Sequence, residues 1–168
     1  NLKSQIYMRF IAESMLGRLV RWLRLLGYDT VYYPRIEDSA LLRIAREENR
    51  ILLTRDSRLV KARGLRQFLL LEENDPFEQL RSIIAAFNLK VDDKLKNAET
   101  AAASSRCILC NAVLNNVSRE DVKNLVPEYV YQTSTIFRQC SGCGKPYWNG
   151  THPEKFRKKL LEVLYGKK

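Results

Sequence analysis

Two cysteine pairs, Cys107-x-x-Cys110 and Cys140-x-x-Cys143, stand apart in the chain, with residues 111 to 139 between them. Each pair offers two thiolates from one tight turn, and two such knuckles complete a tetrahedron around zinc, with Zn–S near ~2.3 Å. The spacing predicts one structural Zn²⁺ held by Cys107, Cys110, Cys140 and Cys143. Two disulfides are the alternative, and a reducing compartment together with an otherwise ordinary core argues against them. Gly142 and Gly144 give the second knuckle the turn conformations it needs. His152 is the only histidine; four thiolates already fill a zinc site, which leaves it for a phosphate or base contact or a structural hydrogen bond. Removing either cysteine pair should unfold this module first and spare the rest of the chain, because metal-binding energy in so small a module is folding energy.

Three acids carry a second chemistry. Glu13, Asp38 and Asp56 each follow a short apolar segment that reads as a strand. In an open parallel sheet, residues just beyond the strands' C-terminal ends converge on one ligand-binding edge. Clustered carboxylates need a cation, and hard oxygen ligands select Mg²⁺ or Mn²⁺, which can activate water beside a phosphodiester. The plainer alternative is that Asp38 and Ser39 cap a helix and Asp56 opens a turn. Arg18, Arg21 and Arg24 recur at i, i+3 and i+6 with no acid between Ser14 and Gly27. That spacing sweeps one helix face, which with Arg55 is suited to phosphate contacts. Lys145 and His152, in the second knuckle's ending, join the candidate phosphate contacts. Tyr147 and Trp148 fit either that module's core, the commoner role, or a base-stacking platform.

The elements that must position these groups follow from periodicity. Met8–Ala12, Thr30–Tyr33, Ile51–Leu53 and Phe68–Leu71 read as strands. Helices are predicted over Met15–Leu26, capped by Ser14 and stopped at Gly27, over Ala40–Glu48, and over Pro76–Phe87 with Pro76 in the first turn. Strands alternating with helices give an α/β fold, a parallel sheet flanked by helices. The expected organisation is an α/β domain over 8–89, a linker over 90–105 of weak apolar periodicity, a cysteine module over 106–152, and a basic C-terminal helix or tail over 153–168.

Composition narrows the partners. In 168 residues, 29 Lys and Arg face 19 Asp and Glu, a net charge of +10, and this field favours a polyanion, most simply nucleic acid. With 45% hydrophobic residues the chain can bury one core and a small satellite, so wholesale disorder is excluded. Apolar runs such as Leu69–Leu71 fall far short of the roughly 20 residues that span a bilayer. The arginine-studded segment after Arg9 does not read as a signal peptide, and a cytoplasmic location is expected.

Four separated stretches carry a family resemblance: Met8-Arg-Phe-Ile-Ala-Glu-Ser-Met-Leu-Gly-Arg-Leu-Val-Arg-Trp-Leu-Arg-Leu-Leu-Gly-Tyr-Asp29, Ile51-Leu-Leu-Thr-Arg-Asp56, Asp75-Pro-Phe-Glu-Gln-Leu80, and the Cys-Gly-Lys-x-Tyr-Trp-x-Gly-Thr-His ending. In this order, over roughly residues 8 to 160, they resemble the Mut-seven C-terminal RNase domain family, a PIN-like nuclease domain fused to a zinc ribbon. The resemblance implies a PIN-like α/β fold, a metal-dependent ribonuclease activity and an RNA substrate. Asp38 and Asp56 match the PIN-like acids, and Arg55 belongs to the same strand-end motif. Glu13 stands where the family usually has Asp, which places its carboxylate farther out by about one C–C bond and makes Glu13→Asp an expected improvement. Glu37, Glu47 and Asp75 are candidates for a further acid. The rival reading is a non-catalytic RNA-binding adaptor with a degenerate acidic site.

Overall fold

The computed structural model describes residues 8–91, 106–149 and 151–165. Residues 92–105 of the expected linker, like residues 1–7, lie outside the described residues.

Four short strands, β1 (Arg9–Ala12), β2 (Asp29–Tyr32), β3 (Ile51–Thr54) and β4 (Phe68–Leu70), form one parallel sheet in the order β2-β1-β3-β4. Successive side chains on a strand point to opposite faces, so each strand feeds two cores. Phe10, Ala12 and Leu53 face one side and meet Leu19 and Leu23 of α1 (Gly17–Leu25) and Leu80 and Ile83 of α3 (Pro76–Phe87). Ile11 and Leu52 face the other and meet Leu41 and Ala45 of α2 (Asp38–Glu47). This is the expected α/β architecture, a parallel sheet with helices on both faces.

The chain leaves β1 for β2 on one side and comes back to place β3 on the other. The order therefore reverses between β1 and β3, the place where open α/β sheets form a crevice at their strands' C-terminal ends. Glu13 ends β1 and Thr54–Asp56 end β3, so topology alone puts them at that crevice.

Local chemistry departs from the sequence reading at the start of α1. Ser14 does not cap it; Ser14–Leu16 form a single 3₁₀ turn before the α-helix begins at Gly17. The Tyr32 hydroxyl donates to the Ser14 carbonyl at 2.8 Å, and a Cβ on Gly17 would lie 2.8 Å from that hydroxyl oxygen, so glycine admits the close approach. Nor do Asp38 or Ser39 cap α2. The N-cap is Glu37, without a side-chain capping bond, and Asp38 is the first helical residue. Asp75 does cap α3, accepting from the Phe77 and Glu78 amides.

The cysteine module is an antiparallel sheet of β5 (Leu114–Val117), β6 (Phe137–Cys140) and β7 (Pro146–Trp148), with α4 (Glu128–Thr133) packed through Val130 onto Val122 and Phe137. The last helix is α5 (Thr151–Tyr165). Its Leu160 is fully buried in the α/β core, and Phe156 joins Trp22 of α1 and Phe77 of α3 in a ring cluster with centroids 4.0 to 6.0 Å apart. The i, i+4 spacing of Phe156, Leu160 and Leu164 supplies that inner face. Among the described residues no helix is long and apolar enough to cross a membrane.

Candidate metal centre and acidic cleft

The four cysteine sulfurs lie within 4.8 Å of one another. Cys107 and Cys143 Sγ are 3.6 Å apart, and Cys110 and Cys140 Sγ 3.3 Å. A zinc tetrahedron with Zn–S near ~2.3 Å has S···S edges of about 3.8 Å, so the donor set fits zinc with small adjustments. Amides supply the supporting contacts: Gly142 and Cys143 N–H each lie 3.3 Å from Cys140 Sγ, and the Tyr147 hydroxyl 3.1 Å from Cys107 Sγ. Burial works against a Cys107 thiolate, but the Tyr147 hydroxyl and the backbone amides outweigh it and bring that thiol down to about 6. Tyr147 and Trp148, both half-buried, pack against the module's two small cores.

The first knuckle is fastened to the α/β domain by side chains the sequence assigned elsewhere or did not single out. Arg24, expected on a phosphate-facing helix surface, is 4% exposed. Its Nε donates to the Thr30 carbonyl at 2.9 Å, and Nη1 to the Ile108 and Leu109 carbonyls at 3.0 and 2.9 Å. The helical spacing was sound, but the third arginine reaches the seam between modules, where knuckle carbonyls replace phosphate. Burial lowers its pKa and the neighbouring Cys107 and Cys110 raise it, so the guanidinium also offsets thiolate charge. Asn111, in the left-handed region at φ 70°, accepts from the Thr30 amide at 3.0 Å and donates to Asp29 at 2.7 Å. It thereby covers the free edge of β2. Burial disfavours the Asp29 carboxylate, but hydrogen bonds from Arg50 and Asn111 hold it below its usual range.

At the opposite end of the strands, Glu13, Asp38, Arg55 and Asp56 line one open cleft of about 440 Å³, with Met15 at its rim. Among the described residues the four cysteines alone form a tight group of three or more metal-type ligands; the three carboxylates share a cleft without closing on one point. Asp38 and Asp56 offer hard oxygen donors at its surface. Mg²⁺ retains several waters and is commonly held by one or two carboxylates.

Glu13 is differently placed. It is 9% exposed, and both oxygens are engaged: Oε2 accepts from the Thr54 hydroxyl at 2.6 Å and Oε1 from the Arg55 amide at 2.7 Å. The Thr54 hydroxyl oxygen in turn accepts from the Asp56 amide at 2.9 Å. The extra methylene is what reaches this turn. Glu13→Asp is therefore expected to withdraw the carboxylate from both donors, to cost about 1–3 kcal/mol in urea unfolding and to impair the cleft. This reverses the improvement the sequence suggested.

Asp56 does open a turn, as the plainer reading held, since it accepts from the Arg58 amide at 2.7 Å. It also pairs with the Arg58 guanidinium at 2.6 Å, and these hydrogen bonds hold its carboxyl below the usual range. Arg58 was missed in the sequence, where the Asp56-Ser57-Arg58 spacing was the only signal. Arg55 donates to Asn74 Oδ1, and its buried Nε finds no partner among the described residues. Arg18 and Arg21 are exposed on α1, one and two turns behind the cleft-lining Ser14, and Lys145 is exposed on the second knuckle. The His152 side chain lies outside the described residues.

A family model described as Mut7-C RNAse domain matches residues 8–160. No curated protein and no solved structure matches the chain.

Proposed function

Since the chain belongs to the Mut7-C RNase domain family, which implies a ribonuclease acting on RNA, we propose that it is an Mg²⁺- or Mn²⁺-dependent endoribonuclease whose reaction runs in the acidic cleft. The observation that carries this reading is the meeting of Asp38, Arg55 and Asp56 in one open cleft at the sheet's topological switch point. Asp38 and Asp56 would hold the ion. When bound, that ion supplies a Lewis acid and an activated water at neutral pH. The α/β domain's described residues contain no histidine to do this work instead.

Glu13 keeps the β3 turn in place, so that Arg55 and Asp56 are presented together, and each of its oxygens, accepting one bond, has capacity for another. Arg55 orients the scissile phosphate. Arg18, Arg21 and Lys145, all exposed, together with His152, would contact the RNA backbone, a sequence-independent attraction. The cysteine cluster holds a structural Zn²⁺ with no open position for chemistry.

The test is incubation of the zinc-loaded chain with single-stranded and structured RNA, with and without Mn²⁺. Internal cleavage that requires the divalent ion is expected. Binding without cleavage at every Mn²⁺ concentration would replace this reading with the adaptor, for which the engaged Glu13 carboxylate is the favouring observation.

A further inference from the structure

Arg55 lines the acidic cleft, and a second cation, Arg58, is paired with the cleft residue Asp56. Arg58 is 85% exposed, yet its guanidinium turns back onto Asp56, with Nη2 2.6 Å from Oδ2 and Nε 3.0 and 3.1 Å from the two oxygens. Asp38 adds to the attraction. The planar fork that grips a carboxylate in this way grips a phosphate equally well. A pair so exposed contributes little to folding, so the guanidinium exchanges partners at small cost.

The other arginines differ. Arg24 is buried in the seam and Arg55 is tied to Asn74. Arg18 and Arg21 stand on α1, and among the described residues neither is paired with a carboxylate lining the cleft. Arg58 is the arginine whose present partner is itself a proposed metal ligand, so filling that carboxylate and freeing that guanidinium are one event. Resting on the reading of the cleft as a divalent-ion site, we propose that Arg58 is a second phosphate-positioning residue beside Arg55, held on Asp56 until a divalent ion takes that carboxylate and then released to an RNA phosphate next to it.

Two linked effects follow. Arg58 competes with the ion for Asp56, and the ion unmasks an arginine for RNA, so ion and RNA favour each other's binding by the same factor. Without the ion, RNA meets two carboxylates and an arginine already occupied.

The experiment uses the full zinc-loaded chain, Arg58→Gln, and Arg63→Gln as a charge control, Arg63 being exposed in the loop that follows. Mn²⁺ affinity is measured by calorimetry without RNA. Affinity for a short single-stranded RNA is measured by fluorescence anisotropy without added divalent ion and with Ca²⁺ at a concentration that calorimetry shows to fill the site. Arg58→Gln is expected to bind Mn²⁺ about fivefold more tightly and to lose most of the Ca²⁺-induced gain in RNA affinity. Arg63→Gln should shift either titration by less than about twofold, as a distant screened charge does. Equal Mn²⁺ affinity in the parent and Arg58→Gln overturns the role of Arg58, and Mn²⁺ binding that survives Asp56→Asn overturns it equally, since the ion then does not take that carboxylate. Absence of Mn²⁺ binding in the parent and in every variant overturns the divalent reading itself, and the inference with it. Unchanged thermal unfolding of Arg58→Gln assigns the differences to the site.

Discussion

Asp56→Asn is expected to lower Mn²⁺-dependent RNA cleavage by about 100-fold or more, a loss of roughly 3 kcal/mol of transition-state stabilisation. RNA affinity without divalent ion should not fall. The substitution is close to isosteric, and the amide oxygen still accepts from the Arg58 N–H that closes the turn at 2.7 Å, so local shape survives. What goes is the anionic oxygen that Asp38 alone cannot replace. Removing it also frees the Arg58 guanidinium from its 2.6 Å contact, and RNA binding at low salt should hold steady or rise slightly. Single-turnover cleavage with labelled RNA, set against anisotropy without Mn²⁺, separates the two effects. Cleavage retained within tenfold would place the reaction elsewhere.

Replacing Cys140 and Cys143 together by Ser is expected to abolish zinc binding and unfold the cysteine module. The α/β domain should remain folded but lose about 2–4 kcal/mol of stability, which the isolated view of two modules does not anticipate. The loss arises at the seam. Without the knuckle, buried Arg24 forfeits the Ile108 and Leu109 carbonyls, and Thr30 and Asp29 forfeit Asn111. A buried guanidinium stripped of acceptors is costly, and the β2 edge is left uncovered. Arg24→Leu approaches the same seam from the other side: with all four cysteines present, it should lower stability by a similar amount and speed zinc release to a chelator. Urea unfolding followed by far-UV circular dichroism, with zinc measured by a colorimetric chelator, checks both variants. An α/β transition with an unchanged midpoint after loss of the knuckle would show that the seam contributes nothing.

The resemblance to the nuclease family rested on four stretches in order, and the family match covers the same span. The strands and helices of the α/β domain were legible because their apolar residues repeat at periods of 2 and 3.6, which hydrophobic burial enforces locally. Boundaries moved by one or two residues where caps differ, as at Ser14 and Asp38. Helical phase correctly placed Arg18, Arg21 and Arg24 on successive turns. It could not say that the face at Arg24 is closed by a knuckle more than eighty residues away.

The sequence by itself determined the alternation that makes the sheet parallel, the four cysteines whose spacing suits a zinc site, the basic excess, and the acids at strand ends. Each of these depends on residue type and short spacing, which physical chemistry reads without knowing the rest of the chain. Only the tertiary structure decided which partner each polar group takes. Glu13 was spent on Thr54 and Arg55, Arg24 on the knuckle, Asn111 on the β2 edge, and Arg58 on Asp56. A charged group takes whatever complementary partner packing brings within about 3 Å, and for most of these groups that neighbour comes from a distant part of the chain.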